Sequence, residues 1–134
     1  MRHLTKNWFD NVDPRSAPRP GRSWLEPIIW MKNIKQATDF YHKVFGFVPI
    51  RECFDEAGFG QFVRLRYRGF HLSLSQESFD NDAMLPLENK NQSTFLLYIY
   101  VDNLSETLAI LTQEGGSVIN PPHPTSWGDQ RARA

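Results

Sequence analysis

The chain has 134 residues, with 15 basic and 15 acidic side chains and a formal charge of zero. That length suits one compact domain or two tightly paired half-domains, and the balanced charge gives no pull toward nucleic acid or an acidic membrane surface. No run approaches the roughly 18 apolar residues of a membrane span, and the N-terminal MRHLTKNWFDNVD lacks the apolar core of a secretory signal. The single cysteine, Cys53, excludes an intrachain disulfide framework and fits a reducing compartment, so a cytoplasmic protein is expected.

Residues 1–24 carry Pro14, Pro18, Pro20 and Gly21 among Arg15, Ser16, Arg19 and Arg22, a linker-like composition without periodicity. They read as an arm, either mobile or docking Trp8, Phe9 and Trp24 on this subunit or a neighbour. A strand is expected over Leu25–Met31. A helix follows over Ile34–Phe45, with Ile34, Ala37, Phe40, Tyr41, Val44 and Phe45 on one stripe, leaving His42 and Lys43 on the solvated side. Gly46 ends it as a left-handed cap. A second strand covers Phe47–Phe54, where Cys53 reads as a small buried hydrophobe. Gln61–Tyr67 and Phe70–Gln76 both alternate, and Arg68-Gly69 suits a two-residue hairpin turn. That turn pairs Tyr67 with Phe70, Leu65 with Leu72 and Val63 with Leu74. The opposite face then collects Phe62, Arg64, Arg66, His71, Ser73 and Ser75.

Residues 77–92 are polar apart from Met84-Leu85-Pro86-Leu87 and read as a link. A strand at Thr94–Val101, a helix at Leu104–Glu114 and a strand at Ser117–Asn120 follow. Pro121-Pro122-His123-Pro124 reads as a rigid loop, and Trp127–Ala134 as the start of one more strand.

The second set repeats the first. Shifting Asn33 by 70 positions lands on Asn103, and in that register Trp30 meets Tyr100, Ile34 meets Leu104, Gly46 meets Gly116 and Val48 meets Val118. Asn33 precedes Gln36, and Asn103 precedes Glu106, by the three residues of an N-cap box. The expected fold is α+β, built from two tandem βαβββ units whose strands form a curved mixed sheet around a cup, with helices outside. The divisions are an arm at 1–24, a first unit at 25–76, a link at 77–92 and a second, incomplete unit at 93–134.

Pro27-Ile28-Ile29, Asn33, Ala37, Phe40-Tyr41 and Phe45-Gly46-Phe47, with Tyr100-Val101-Asp102-Asn103-Leu104, Gly115-Gly116 and Trp127-Gly128, resemble motifs of the vicinal oxygen chelate superfamily. Its members include glyoxalase I, extradiol dioxygenases and bleomycin-resistance proteins. The resemblance covers about residues 25–132, and the family's closing "DPxGN" turn and last strand are not found in this chain. In the metal enzymes, the resemblance implies ligands on strands one and four of each unit. Those positions fall on Glu26, Ser73 and Leu96, the fourth lying beyond the C-terminus. A divalent ion needs about three oxygen or nitrogen ligands, so neither a metal nor another cofactor is expected, and no residue is assigned a catalytic role.

The hairpin pairing and the family register agree on an inner face of Glu26, Ile28, Trp30, Phe62, Arg64, Arg66, His71, Ser73, Ser75, Tyr98 and Tyr100. Aromatic walls with a few polar groups suit a small-molecule site. Trp30 and Tyr100 could sandwich a planar or cationic ligand. Arg64 and Arg66 either pair with Glu26 and Glu52, or one neutralises Glu26 while the other holds a ligand anion. His71 reads as structural. The expected function is therefore non-catalytic binding or sequestration of a planar, partly charged molecule, as in the bleomycin-resistance branch, which makes antibiotic resistance a candidate role. Two alternatives stand beside it: a metal-dependent lyase, isomerase or dioxygenase completed by another subunit, and a dimeric scaffold without ligand. The unfinished second unit leads us to expect a homodimer that swaps halves or exchanges the N-terminal arm, with neither nucleic acid nor membrane as partner.

Overall fold

A computed structural model describes residues 14–58, 60–76, 96–126 and 128–134. Trp8, Phe9, the 77–92 link, Thr94, Phe95 and Trp127 lie outside the described residues. No helix among those described is long and apolar enough to cross a membrane.

Strands β1 (Ile28–Met31), β2 (Val48–Phe54), β3 (Gly60–Tyr67) and β4 (Phe70–Gln76) form one mixed sheet in the order β1-β4-β3-β2. β1 runs parallel to β4, while β4–β3 and β3–β2 are antiparallel. The expected hairpin register holds. Tyr67 pairs with Phe70, Leu65 with Leu72 and Val63 with Leu74. The turn works because Arg68 and Gly69 both take positive φ (47° and 86°), which matches the right-handed twist of the flanking strands.

Helix α1 (Ile34–Phe45) packs on one face of this sheet. Asn33 Oδ1 accepts from the Gln36 N–H at 3.0 Å, and Gly46 takes φ 80° beyond the last turn. Between helix and sheet lie Ile34, Phe47, Val63, Leu65, Leu72 and Leu74, with Leu65 and Leu74 fully enclosed. Ala37, Tyr41 and Phe45 close the helix side, and the Tyr67 ring stacks on Phe47 at 4.8 Å. Cys53 is half-buried rather than enclosed, because β2 is an edge strand.

The second unit departs from the sequence reading at three points. Of the strand expected at Thr94–Val101, residues 96–101 form no sheet ladder, although Leu97 and Ile99 turn inward onto the first unit's core while Tyr98 and Tyr100 turn out. The segment is held by Tyr67 Oη donating to the Tyr100 carbonyl at 2.6 Å and by Arg68 meeting Asp102 at 2.7 Å. Helix α2 (Leu104–Gln113) follows, capped by Asn103 on the Glu106 N–H. It ends two residues early relative to its copy: Gly115 takes the left-handed conformation (φ 94°), while Gly116 is needed for close approach to Leu111, whose side chain a Cβ would meet at 2.4 Å. The strand expected at Ser117–Asn120 begins only at its end. β5 is Asn120–Pro124, so the Pro-Pro-His-Pro stretch expected as a loop is itself a strand. It pairs with β6 (Gln130–Arg133) through a bulge between Asn120 and His123, which leaves Pro121 and Pro122, lacking N–H groups, out of the ladder, while Pro124 pairs with Gln130. Among the described residues this ribbon stands apart from the four-stranded sheet.

Candidate functional site

The face of the sheet away from α1 carries the chemistry. Directly opposed strand residues share a face, and the ladder opposes Arg66 to His71, Arg64 to both Ser73 and Arg51, Phe62 to Ser75, Ile28 to Ser73, and Trp30 to Ser75. Small serines on the central strand β4 are thus flanked by large side chains on β1 and β3. Ser73, Ser75 and His71 are buried beneath them.

At the centre, Glu26 sits just before β1 and turns its carboxylate over β4. Its Oε1 accepts from Arg64 Nε at 2.7 Å and from the Ser73 hydroxyl. The pair is well shielded, with 15% of the Glu26 side chain and 11% of the Arg64 side chain exposed. Burial alone would push the Glu26 carboxyl up, but the Ser73 and Arg64 hydrogen bonds and the Arg64 charge outweigh it, so the group lies below its ordinary value of 4.5. Of the two readings of the arginines, Arg64 is the one that neutralises Glu26. Glu52 opposes Val63, on the other face.

Arg66 has a different role. Its Nε–H donates to His71 Nε2 at 3.1 Å. A guanidinium carries only donors, so the His71 proton must sit on Nδ1 and the ring is neutral. Burial, followed by the Arg66 charge, pushes the His71 pKa below its ordinary 6.5. That Nδ1–H is buried and has no acceptor among the described residues, and the same is true of the Trp30 indole N–H. Both orphans are donors.

The remaining expected site residues divide. Phe62 lies on this face with the Arg64 guanidinium 5.5 Å from its ring centre. Tyr98 and Tyr100 are placed outward, their ring centres 5.4 Å apart, with Tyr100 63% exposed and its hydroxyl 3.3 Å from Asp129. Among the described residues no ring contact joins Trp30 to Tyr100; Tyr98 is the ring that Tyr100 meets.

Two residues on this face escaped the sequence. A bulge between Pro49 and Arg51 advances β2 by one residue, so Arg51 opposes Arg64 instead of Val63 and changes faces. Arg22 comes from the arm. Nearby Arg64 presses its guanidinium below the ordinary value more than any other influence, with burial next, then Arg19 and Arg51. The arm is shaped locally here: Trp24 Nε1 donates to the Arg15 carbonyl at 3.2 Å, and the Arg15 guanidinium lies 4.9 Å from the indole centre. Arginines at 22 and 51 were visible as residues, but neither alternation nor motif linked them to the site.

The positions implied for a metal do not fit one. Glu26 is committed to Arg64 and Ser73, Leu96 is apolar, and His71 offers one nitrogen already taken and one that carries a proton. Among the described residues no three His, Cys, Asp or Glu side chains converge.

Residues 24–133 match the model of the Glyoxalase/Bleomycin resistance protein/Dioxygenase superfamily. The chain belongs to this superfamily. Three solved structures are similar to it in fold. They are TioX from Micromonospora sp. ML1 (14% identity, 81% of this chain and 85% of that one, TM-score 0.55), a glyoxalase/bleomycin resistance protein/dioxygenase family enzyme from Burkholderia phytofirmans PsJN (18%, 80% and 84%, 0.56) and a gene product from Arabidopsis thaliana (11%, 81% and 93%, 0.60). At such identities the likeness is one of fold. Among curated proteins none matches the sequence.

Proposed function

We propose that this superfamily member binds a small organic molecule on the β1–β4–β3 face and sequesters it without metal-assisted chemistry. The observation that carries this reading is a pair of buried N–H groups without an acceptor among the described residues, Trp30 Nε1 and His71 Nδ1, on one aromatic and polar face. A buried donor without an acceptor costs on the order of 1–3 kcal/mol, and a ligand oxygen placed there recovers it. The same geometry argues against a Lewis-acid site, since two N–H donors repel a cation and Glu26 is already neutralised.

A homodimer belongs to the same proposal. Ile28, on the open face opposite Ser73, is an exposed apolar side chain, and Leu96, Tyr98 and Tyr100 are exposed elsewhere on the surface; a second copy that covered Ile28 would wall the site.

Calorimetry and thermal shift against aromatic acids, cationic dyes and bleomycin-type glycopeptides test the binding reading. A saturable stoichiometric ligand weakened by Trp30→Ala is the expected result. Stoichiometric Ni, Zn, Fe or Mn in protein purified without chelators would replace sequestration by metal-dependent catalysis. Light scattering at high micromolar concentration tests the dimer, and a monomer refutes it.

A further inference from the structure

We infer that the ligand of this face is an organic acid, its carboxylate seated among Arg22, Arg51 and Arg66 above His71. This rests on the small-molecule reading just given and narrows it to one charge and one orientation.

The charges on this face do not balance. The ladder sets Arg51 directly opposite Arg64, Arg66 lies beside them opposite His71, and Arg22 approaches from the arm close enough to feel both Arg64 and Arg51. Like charges directly opposed on neighbouring strands are destabilising. The carboxylate acting on both Arg22 and His71 is Glu26, and it is consumed by Arg64 and Ser73. Three guanidiniums thus share a rim without a second carboxylate of the described site between them.

The donor inventory points the same way. His71 is neutral, and its unpartnered ring nitrogen carries a proton, not a lone pair. Arg22, Arg51 and Arg66 are donors only. A cationic ligand would meet four donor groups and repulsion; a neutral amide could satisfy one or two; a carboxylate accepts several and cancels charge. A planar acid also matches the guanidinium fork, which binds carboxylates with two parallel hydrogen bonds. Arg51 and Arg66 are exposed and Arg22 half-buried, so these side chains can turn onto the acid and uncover the His71 N–H beneath.

Orientation follows from the ladder. Trp30 opposes Ser75, four residues along β4 from His71, which is about 13 Å at the rise of a strand. One carboxylate cannot serve both N–H groups. The Trp30 indole therefore marks the far end of an elongated ligand and takes a neutral acceptor such as a carbonyl, with the apolar body between, alongside Phe62.

The test is a matched series: 6-acetylnaphthalene-2-carboxylate, its primary amide and the corresponding 2-aminomethyl compound, with inorganic phosphate as a bare anion, each titrated into the full chain by calorimetry. The acid is expected to bind at least tenfold more tightly than the amide, with the amine weaker still. Arg22→Gln and Arg51→Gln, both outside the core, should each weaken the acid about tenfold, the scale of one charge-assisted contact, and leave the amide unchanged. Trp30→Phe should weaken acid and amide alike. An amide or amine binding as tightly as the acid overturns the acid assignment while leaving small-molecule binding intact. Phosphate competing at equal affinity overturns it in favour of a general anion site. No binding of any of the four overturns it as well, and sequestration is then judged by the wider panel alone.

Discussion

Replacing Glu26 by glutamine keeps the side chain's shape and removes its charge, leaving the Arg64 guanidinium, 11% exposed, facing Arg51 and Arg22 without a counterion. Opposite unit charges about 4 Å apart attract by roughly 4 kcal/mol at an effective dielectric near 20, and taking one partner from a buried pair generally costs about 3–5 kcal/mol. The pair lies near the rim rather than at the centre of the core, so a loss of about 3 kcal/mol is expected. For a chain of this size, at about 4 °C per kcal/mol, the melting temperature should fall by about 12 °C. Removing both charges, as Glu26→Leu with Arg64→Met, should return stability to within about 1 kcal/mol of the parent, because the desolvation cost disappears along with the attraction. Urea denaturation followed by tryptophan fluorescence gives both values by linear extrapolation. If Glu26→Gln costs less than 1 kcal/mol, or the double variant loses the sum of the singles, the carboxylate is not locked into a structural pair and the case against its serving as a metal ligand fails.

Other outcomes follow from the same geometry. The folded His71 pKa is depressed from 6.5 and that of Glu26 from 4.5, so the unfolded chain binds more protons below each value. The stability each contributes is present above its ordinary pKa and lost as pH falls. Melting temperature should therefore decline below about pH 6.5 and again below about 4.5, with His71→Gln flattening the first decline; a flat profile from 7.5 to 5.5 in the parent refutes this. Leu65→Ala, at a fully enclosed position, should cost about 3–4 kcal/mol in the same urea assay. Gly46→Ala places a Cβ at φ 80°, where nothing lies within 4 Å, so about 1–2 kcal/mol of backbone strain is expected without a packing clash. A loss much above that would point to contacts not visible around the cap.

The first unit was readable because each local signal there agreed with the tertiary demand. The Arg68-Gly69 turn has one comfortable geometry, and the turn fixed the parity of every residue on β3 and β4, which in turn brought Arg64, Ser73 and His71 to one face. The family register reached Glu26, whose carboxylate does turn onto Ser73 and Arg64. Where a bulge intervened, parity failed: Arg51 reads as belonging with Val63 until the extra residue at Ile50 moves it across the sheet. The second unit misled for a different reason. Its alternating segment at 96–101 has the side-chain periodicity of a strand, with Leu97 and Ile99 inward, but periodicity reports which face is buried and not whether a partner strand is there to bond. Prolines at 121, 122 and 124 argued for a loop, yet a two-stranded ribbon asks little of an edge strand's N–H groups. Arg22 lies in a segment of linker composition, from which no pattern could have carried it to the site.

The prolines of β5 also fix the direction in which the second sheet can grow. Of five residues in that strand, only Asn120 and His123 have a backbone N–H to offer, so a further chain approaching its free edge would find carbonyls with almost no donors between them and could not build a regular ladder. β6, which is Gln-Arg-Ala-Arg, has every amide. One side of the ribbon is sealed by its own covalent chemistry, and any strand that joins it, from this chain or another, adds next to Gln130–Arg133.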